Sequence, residues 1–107
     1  MKKIYDIACF TSDWKNDEAE ELTMWLETKM YDYFEDKEEA LDWFNGRFDF
    51  LKNNWLKKWV DWFAKNYPNI TIGAELYETE VEDDFDINED DFDRGWAIKT
   101  LYFCEGK

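Results

Sequence analysis

A chain of 107 residues with 27 acids against 13 bases carries a formal charge of −14; it repels nucleic acid and anionic membrane and suits cationic partners. Its seven Trp, nine Phe and six Tyr are too many for a disordered acidic tail and supply the core of one domain spanning 1–107. The lack of histidine removes the commonest general acid–base group, and no stretch approaches the ~20 apolar residues of a membrane span.

In chain order, Ile4 to Phe10 is short and almost continuously apolar, which predicts a strand covered on at least one face. No signal peptide is expected, because Asp6 interrupts this apolar run behind Met1-Lys2-Lys3. The expected location is the cytoplasm of a bacterial host cell. Thr11 to Glu21 reads as a polar, acidic loop.

The next segment has two periods. Leu22, Leu26 and Met30 have helical spacing, yet Leu22, Met24, Leu26, Thr28 and Met30 also alternate with their neighbours. The strand formers Tyr31, Tyr33 and Phe34 favour a strand from about 24 to 34, in a hairpin with the first. Asp36 with Glu39 forms a capping box. Leu41, Phe44, Phe48, Leu51, Trp55, Trp59, Trp62 and Phe63 follow as one helical stripe. The helix should end near Asn66, before Pro68, after about 30 residues or ~45 Å, with Asn45-Gly46 as the point of any kink. Trp43 and Phe50 fall on the opposite side of this helix, two turns apart. They read as a second packing contact or as an exposed aromatic pair for a partner.

Ile70, Ile72, Ala74 and Leu76 alternate as a half-buried strand. Residues 81–94 form an acidic connection, and Trp96 to Cys104 reads as the last strand. The expected fold is α+β: a four-stranded, mainly antiparallel sheet with one long helix packed across it, in the order β-β-α-β-β. The alternative is β-α-α-β-β, with 17–34 helical. Cys9 and Cys104 lie in apolar strand runs and are expected to be buried thiols; a disulfide between them cannot be read from sequence.

No catalytic machinery is legible. Ser12, the single serine, has no nucleophile motif, neither cysteine has a histidine partner, and four glycines make no phosphate loop. An enzyme is therefore not expected. Asp84, Asp86, Asn88 and Asp90 alternate like the ligands of a calcium loop, but Glu89 stands where that loop needs Gly and Gly95 where it needs Glu. No metal or other cofactor is expected.

The acidic run is the most informative feature. Glu75, Glu78, Glu80, Glu82, Asp83, Asp84, Asp86, Glu89, Asp90, Asp91 and Asp93 contain no base among them. The alternation Ile70-Ile72-Ala74-Leu76 continues as Glu78-Glu80-Glu82, placing carboxylates ~6.6 Å apart on an extended chain, close to the spacing of backbone phosphates. Phe85, Ile87 and Phe92 lie within the run and could pin it to the body, which lowers the entropic cost of binding. A second acidic group is Asp17, Glu18, Glu20 and Glu21. Arg47, Lys52, Lys57, Lys58 and Lys65 make the long helix locally basic.

An acidic, aromatic-rich domain of this size, with the runs Glu75–Asp93 and Asp17–Glu21, resembles the phage-encoded inhibitors of bacterial defence, the anti-CRISPR and anti-restriction proteins that mimic DNA. The resemblance implies steric blocking of a DNA-binding channel whose Arg and Lys would pair with carboxylates. The expected partner is a basic nucleic-acid-binding protein such as a CRISPR effector nuclease or a restriction enzyme. The expected contact residues are the eleven acids of the run together with Trp43 and Phe50. Two alternatives share part of this pattern: an immunity-type protein that neutralises a cationic nuclease toxin, and an accessory domain that binds through exposed aromatics.

Overall fold

The computed structural model describes residues 1–55 and 57–107, Trp55 by its backbone alone. Its elements are β1 (Lys2–Thr11), α1 (Asp17–Met30), β2 (Tyr33–Phe34), α2 (Lys37–Phe50), α3 (Lys57–Asn66), β3 (Ile72–Val81) and β4 (Trp96–Cys104), with a π-helical turn at Leu51–Trp55 between α2 and α3. The sheet order is β2-β1-β3-β4, and every pairing is antiparallel. The α+β class and the four-stranded sheet are as expected. The arrangement of helices is not.

The expected strand at 24–34 is a helix over most of its length. Asn16 caps α1 by accepting the Ala19 N–H, and Asp17, Glu18 and Glu20 occupy its first turn, where the helix dipole favours carboxylates. Ala19, Leu22, Thr23, Leu26 and Met30 then form one buried stripe at helical spacing. The acids at 17–21 are therefore a helix start and not a loop. Of the strand-forming end, only Tyr33 and Phe34 pair, opposite Asp6 and Tyr5. The long partner of β1 is β3, in register from Lys2↔Val81 to Thr11↔Ile72, and not a neighbouring hairpin strand. Chain order thus lies closer to β-α-α-β-β, with a two-residue strand added.

The single long helix is divided. It begins as expected, with the Asp36 side chain accepting the Glu39 N–H at 2.9 Å. It runs straight through Asn45-Gly46 and widens at Leu51–Trp55, where a π-helical turn inserts an extra residue. That insertion rotates the apolar face. Ala40, Phe44 and Phe48 are buried before it, Leu51 at its start and Val60 and Phe63 after it, while Trp59 is half-buried and Trp62 is 47% exposed. The side chain of Trp55, which the stripe included, lies outside the described residues. α3 ends at Asn66, ahead of Pro68, as the sequence predicts.

All three helices cover one face of the sheet. Tyr5, Ile7 and Cys9 of β1 and Ile72, Ala74 and Leu76 of β3 meet Leu22, Leu26, Phe44 and Phe63 there. Both thiols are free and buried; burial pushes Cys9 up to about 12 and Cys104 up to about 11. Ile4, Asp6 and Thr79, which alternate onto the opposite face, are buried as well. Among the described residues, no helix is long and apolar enough to cross a membrane.

Candidate partner-binding surface

β3 stops at Val81, and residues 82–95 lead to β4. This connection is tied at both ends and across its middle. The Gly95 N–H donates to Thr79 Oγ1 at 2.9 Å, and a Cβ at Gly95 would run into the Glu78 carbonyl oxygen, so only glycine lets the chain turn this close to β3. Arg94 Nε donates to Asp6 Oδ2 at 2.8 Å, and its guanidinium carbon lies 5.5 Å from the Tyr77 ring. Within the loop, Phe85 and Phe92 stack edge to face at 5.5 Å. Asp86 N–H donates to Asp90 Oδ2, and Asn88 N–H to Asp86 Oδ1, both at 2.9 Å. The N-terminal ammonium reaches Asp83 at 3.3 Å.

On this support, nine of the eleven acids are exposed: Glu80, Glu82, Asp83, Asp84, Asp86, Glu89, Asp90, Asp91 and Asp93. They crowd one end of the sheet, so the loop presents a dense negative field. Glu80, Glu82 and Asp84 also border a hollow with Val81, Phe85 and Phe92, giving the acidic rim an apolar floor.

The other two acids differ. Glu75 is half-buried in mid-strand, opposite Ala8 and Thr100, well back from the loop. Glu78 is only 5% exposed. Its Oε2 accepts the Tyr5 hydroxyl at 3.0 Å and its Oε1 lies 3.4 Å from Lys3 Nζ. Burial, followed by this hydrogen bond and the charges of Glu78 and Asp36, pushes the Tyr5 phenol up to about 12. The expected free row Glu78-Glu80-Glu82 therefore does not form. Glu78 is committed inside the fold, and Glu82 lies past the end of the strand.

Trp43 and Phe50 do not make one aromatic face either. Trp43 is half-buried and packs on Phe34 of β2 at 5.6 Å. Phe50 is 44% exposed, with Arg47 over its ring at 5.9 Å. The helix bases are partly structural: Arg47 Nε donates to the Lys29 carbonyl at the end of α1 at 2.8 Å, and Lys57 pairs with Asp61 at 3.3 Å. Beyond Phe50, the exposed large apolar residues include Trp14, Met24, Tyr31, Trp62, Trp96 and Tyr102; Met24 is exposed because it lies on the outer face of α1, which a strand over 24–34 would not have.

Negative potential extends to β2. The Tyr33 phenol is pushed up to about 12 by burial, by its hydrogen bond to Glu35 and by the charges of Glu35 and Asp86. Glu35 itself is held below the usual carboxylate range by that hydrogen bond and by Lys2. Among the described residues, no group of three or more carboxylates or thiols converges to hold a metal ion. In comparisons with family models, curated proteins and solved structures, the chain matches none.

Proposed function

We propose that this protein is a non-catalytic inhibitor that seats the carboxylates of 80–93 on the basic nucleic-acid-binding surface of another protein and so blocks DNA. The observation that carries the reading is the tethering of the acidic loop by Arg94–Asp6 and Gly95–Thr79. A docking surface gains from these ties, because charges fixed before contact cost less ordering on binding. Carboxylates held this way pair with Arg and Lys through charge-assisted bonds, and their summed field speeds encounter with a basic cleft. The class of partner follows from the resemblance to DNA-mimicking inhibitors: a CRISPR effector nuclease or a restriction enzyme of the bacterial host.

The test is capture from a bacterial lysate on the immobilised protein, followed by elution with duplex DNA. Release of a nucleic-acid-binding protein by the duplex, with retention that falls steeply with salt, is the expected result. Salt-resistant capture of a protein without nucleic-acid function would instead favour contact through the exposed Met24 and Tyr31 of the α1 side.

A further inference from the structure

α1 carries apolar residues on two sides. Ala19, Leu22, Leu26 and Met30 pack into the core, while Met24 and Tyr31, two turns apart on the opposite side, are 56% and 63% exposed. The alternation of Leu22, Met24, Leu26, Thr28 and Met30, which suits a strand, is thus the trace of apolar residues shared between two faces of one helix. One face builds the fold and the other stays exposed. We infer that this outer face docks an amphipathic helix of a partner protein whose apolar seam is flanked by Lys or Arg. The inference goes beyond the acidic loop of 80–93 and names a second docking surface.

The shape of the face selects a helix. Met24, Glu27, Thr28 and Tyr31 surround one hollow. A longer one beside it is bordered by Asp17, Glu20, Glu21, Met24, Trp25 and Thr28. The first set has i, i+3, i+4, i+7 spacing, and the second is two such sets joined at Glu21 and Met24. These are the holes into which the side chains of a facing helix insert, and they recur along α1 at the step of such a helix's apolar seam. An extended strand repeats every second residue and would not keep this step. Met24 belongs to every set, and its unbranched thioether adapts to what packs on it. Trp25 is braced against Trp59 at 5.7 Å, so that wall is set before contact.

Charge selects what flanks the seam. α1 carries Asp17, Glu18, Glu20, Glu21 and Glu27 against the single base Lys29, whose ammonium lies over the Trp25 ring at 5.2 Å. Four of these acids border the hollows themselves. Lys or Arg beside the partner's seam answers them, as flanking charges choose partners in coiled coils. A second copy of this chain would set the same acids against one another, and so would an acidic helix; neither fits.

The test is a titration of the whole protein, read by amide chemical shifts, with a synthetic helix of about three heptads. It carries Leu along its seam and Lys on both flanks, which also keep it from pairing with itself. One control has the same seam with Glu flanks, and another has the same composition in scrambled order. The expected result is a saturable shift over 17–31 with the Lys-flanked helix alone. Met24→Glu, at an exposed position where folding is not at risk, should weaken the titration roughly tenfold or more. Tyr31→Ala should weaken it by a smaller factor, with the urea midpoint of both variants unchanged. Shifts centred on 80–93, equal binding of the scrambled peptide, no shift at all, or self-association of the protein that Met24→Glu abolishes would overturn the inference. The two proposals fail separately. Neutralising Glu80, Glu82 and Asp84 should abolish DNA-reversible capture while leaving the peptide titration intact. If the peptide binds but no capture is reversed by DNA, this surface stands and the inhibitor reading falls.

Discussion

Glu78 and Glu80 stand two residues apart on β3 and belong to the same run, yet one is built into the fold and the other is exposed. Tyr5 and Lys3, on the facing strand, make the difference. Glu78→Gln should therefore cost about 1–2 kcal/mol in urea unfolding, through a weakened buried hydrogen bond and a lost charge partner. Glu80→Gln should stay within about 0.5 kcal/mol of the parent, as surface changes usually do. Equal effects would mean that the Tyr5–Glu78 contact does not form in solution. The sequence could not separate the two, because alternation gives the face of a residue and says nothing of what stands opposite.

The raised groups set an alkaline limit. Tyr5 titrates near 12 in the fold against an ordinary 10.0, and Cys9 near 12 against 9.0. Each favours its neutral form in the native state, so its contribution is fully present below the unfolded value and is lost as pH rises through the folded one. Urea midpoints should be flat near neutrality and fall between about pH 9 and 12. Cys9→Ala should make that fall shallower, with Cys104 still setting its onset. A midpoint that rises across this range would contradict the buried placement of both groups.

At the scale of elements, the sequence was legible where one period dominated. The start of α2 at Asp36 followed from its cap, the end of α3 from Pro68, β3 from alternation, and β1 and β4 from short apolar runs. The segment 17–34 failed because its apolar positions fit both periods. The aromatic end favours a strand, whereas the structure starts a helix at the Asn16 cap, with Asp17, Glu18 and Glu20 in its first turn. The π-helical turn was hidden for a different reason: Leu51, Trp55 and Trp59 suit an unbroken helix, and only packing against the sheet shows that Val60 joins the expected Phe63 in the core while Trp62 turns outward. Asn16→Ala and Asp36→Ala should each cost about 1 kcal/mol, since each removes a cap. If Asn16→Ala cost nothing, the helical start at 17 would be in doubt. Gly95→Ala should act on the loop. The added methyl meets the Glu78 carbonyl, so amide exchange across 82–94 should accelerate while the exchange of β1 stays slow.

For the whole molecule, the question is why a domain keeps a charge of −14 that works against its own compactness. Two groups of acids contrast. Those of the α1 start stabilise a helix, whereas those of 80–93 sit on a loop fastened to the sheet and gain the fold little. Their presence was legible in the sequence. Their fastening was not, because Asp6 and Arg94 lie 88 residues apart and nothing in either neighbourhood announces the pair. In the proposed function the exposed carboxylates act together on a surface that otherwise holds DNA. The most direct measurement is a mobility-shift competition: a fixed amount of the captured protein with a DNA duplex, titrated with the parent domain and with a variant carrying Glu80→Gln, Glu82→Gln, Asp84→Asn and Glu89→Gln. The account expects the parent to release free DNA in proportion to its concentration and the variant, equally stable to urea, to release little. Equal release by both, or a ternary complex in which DNA stays bound, would contradict it.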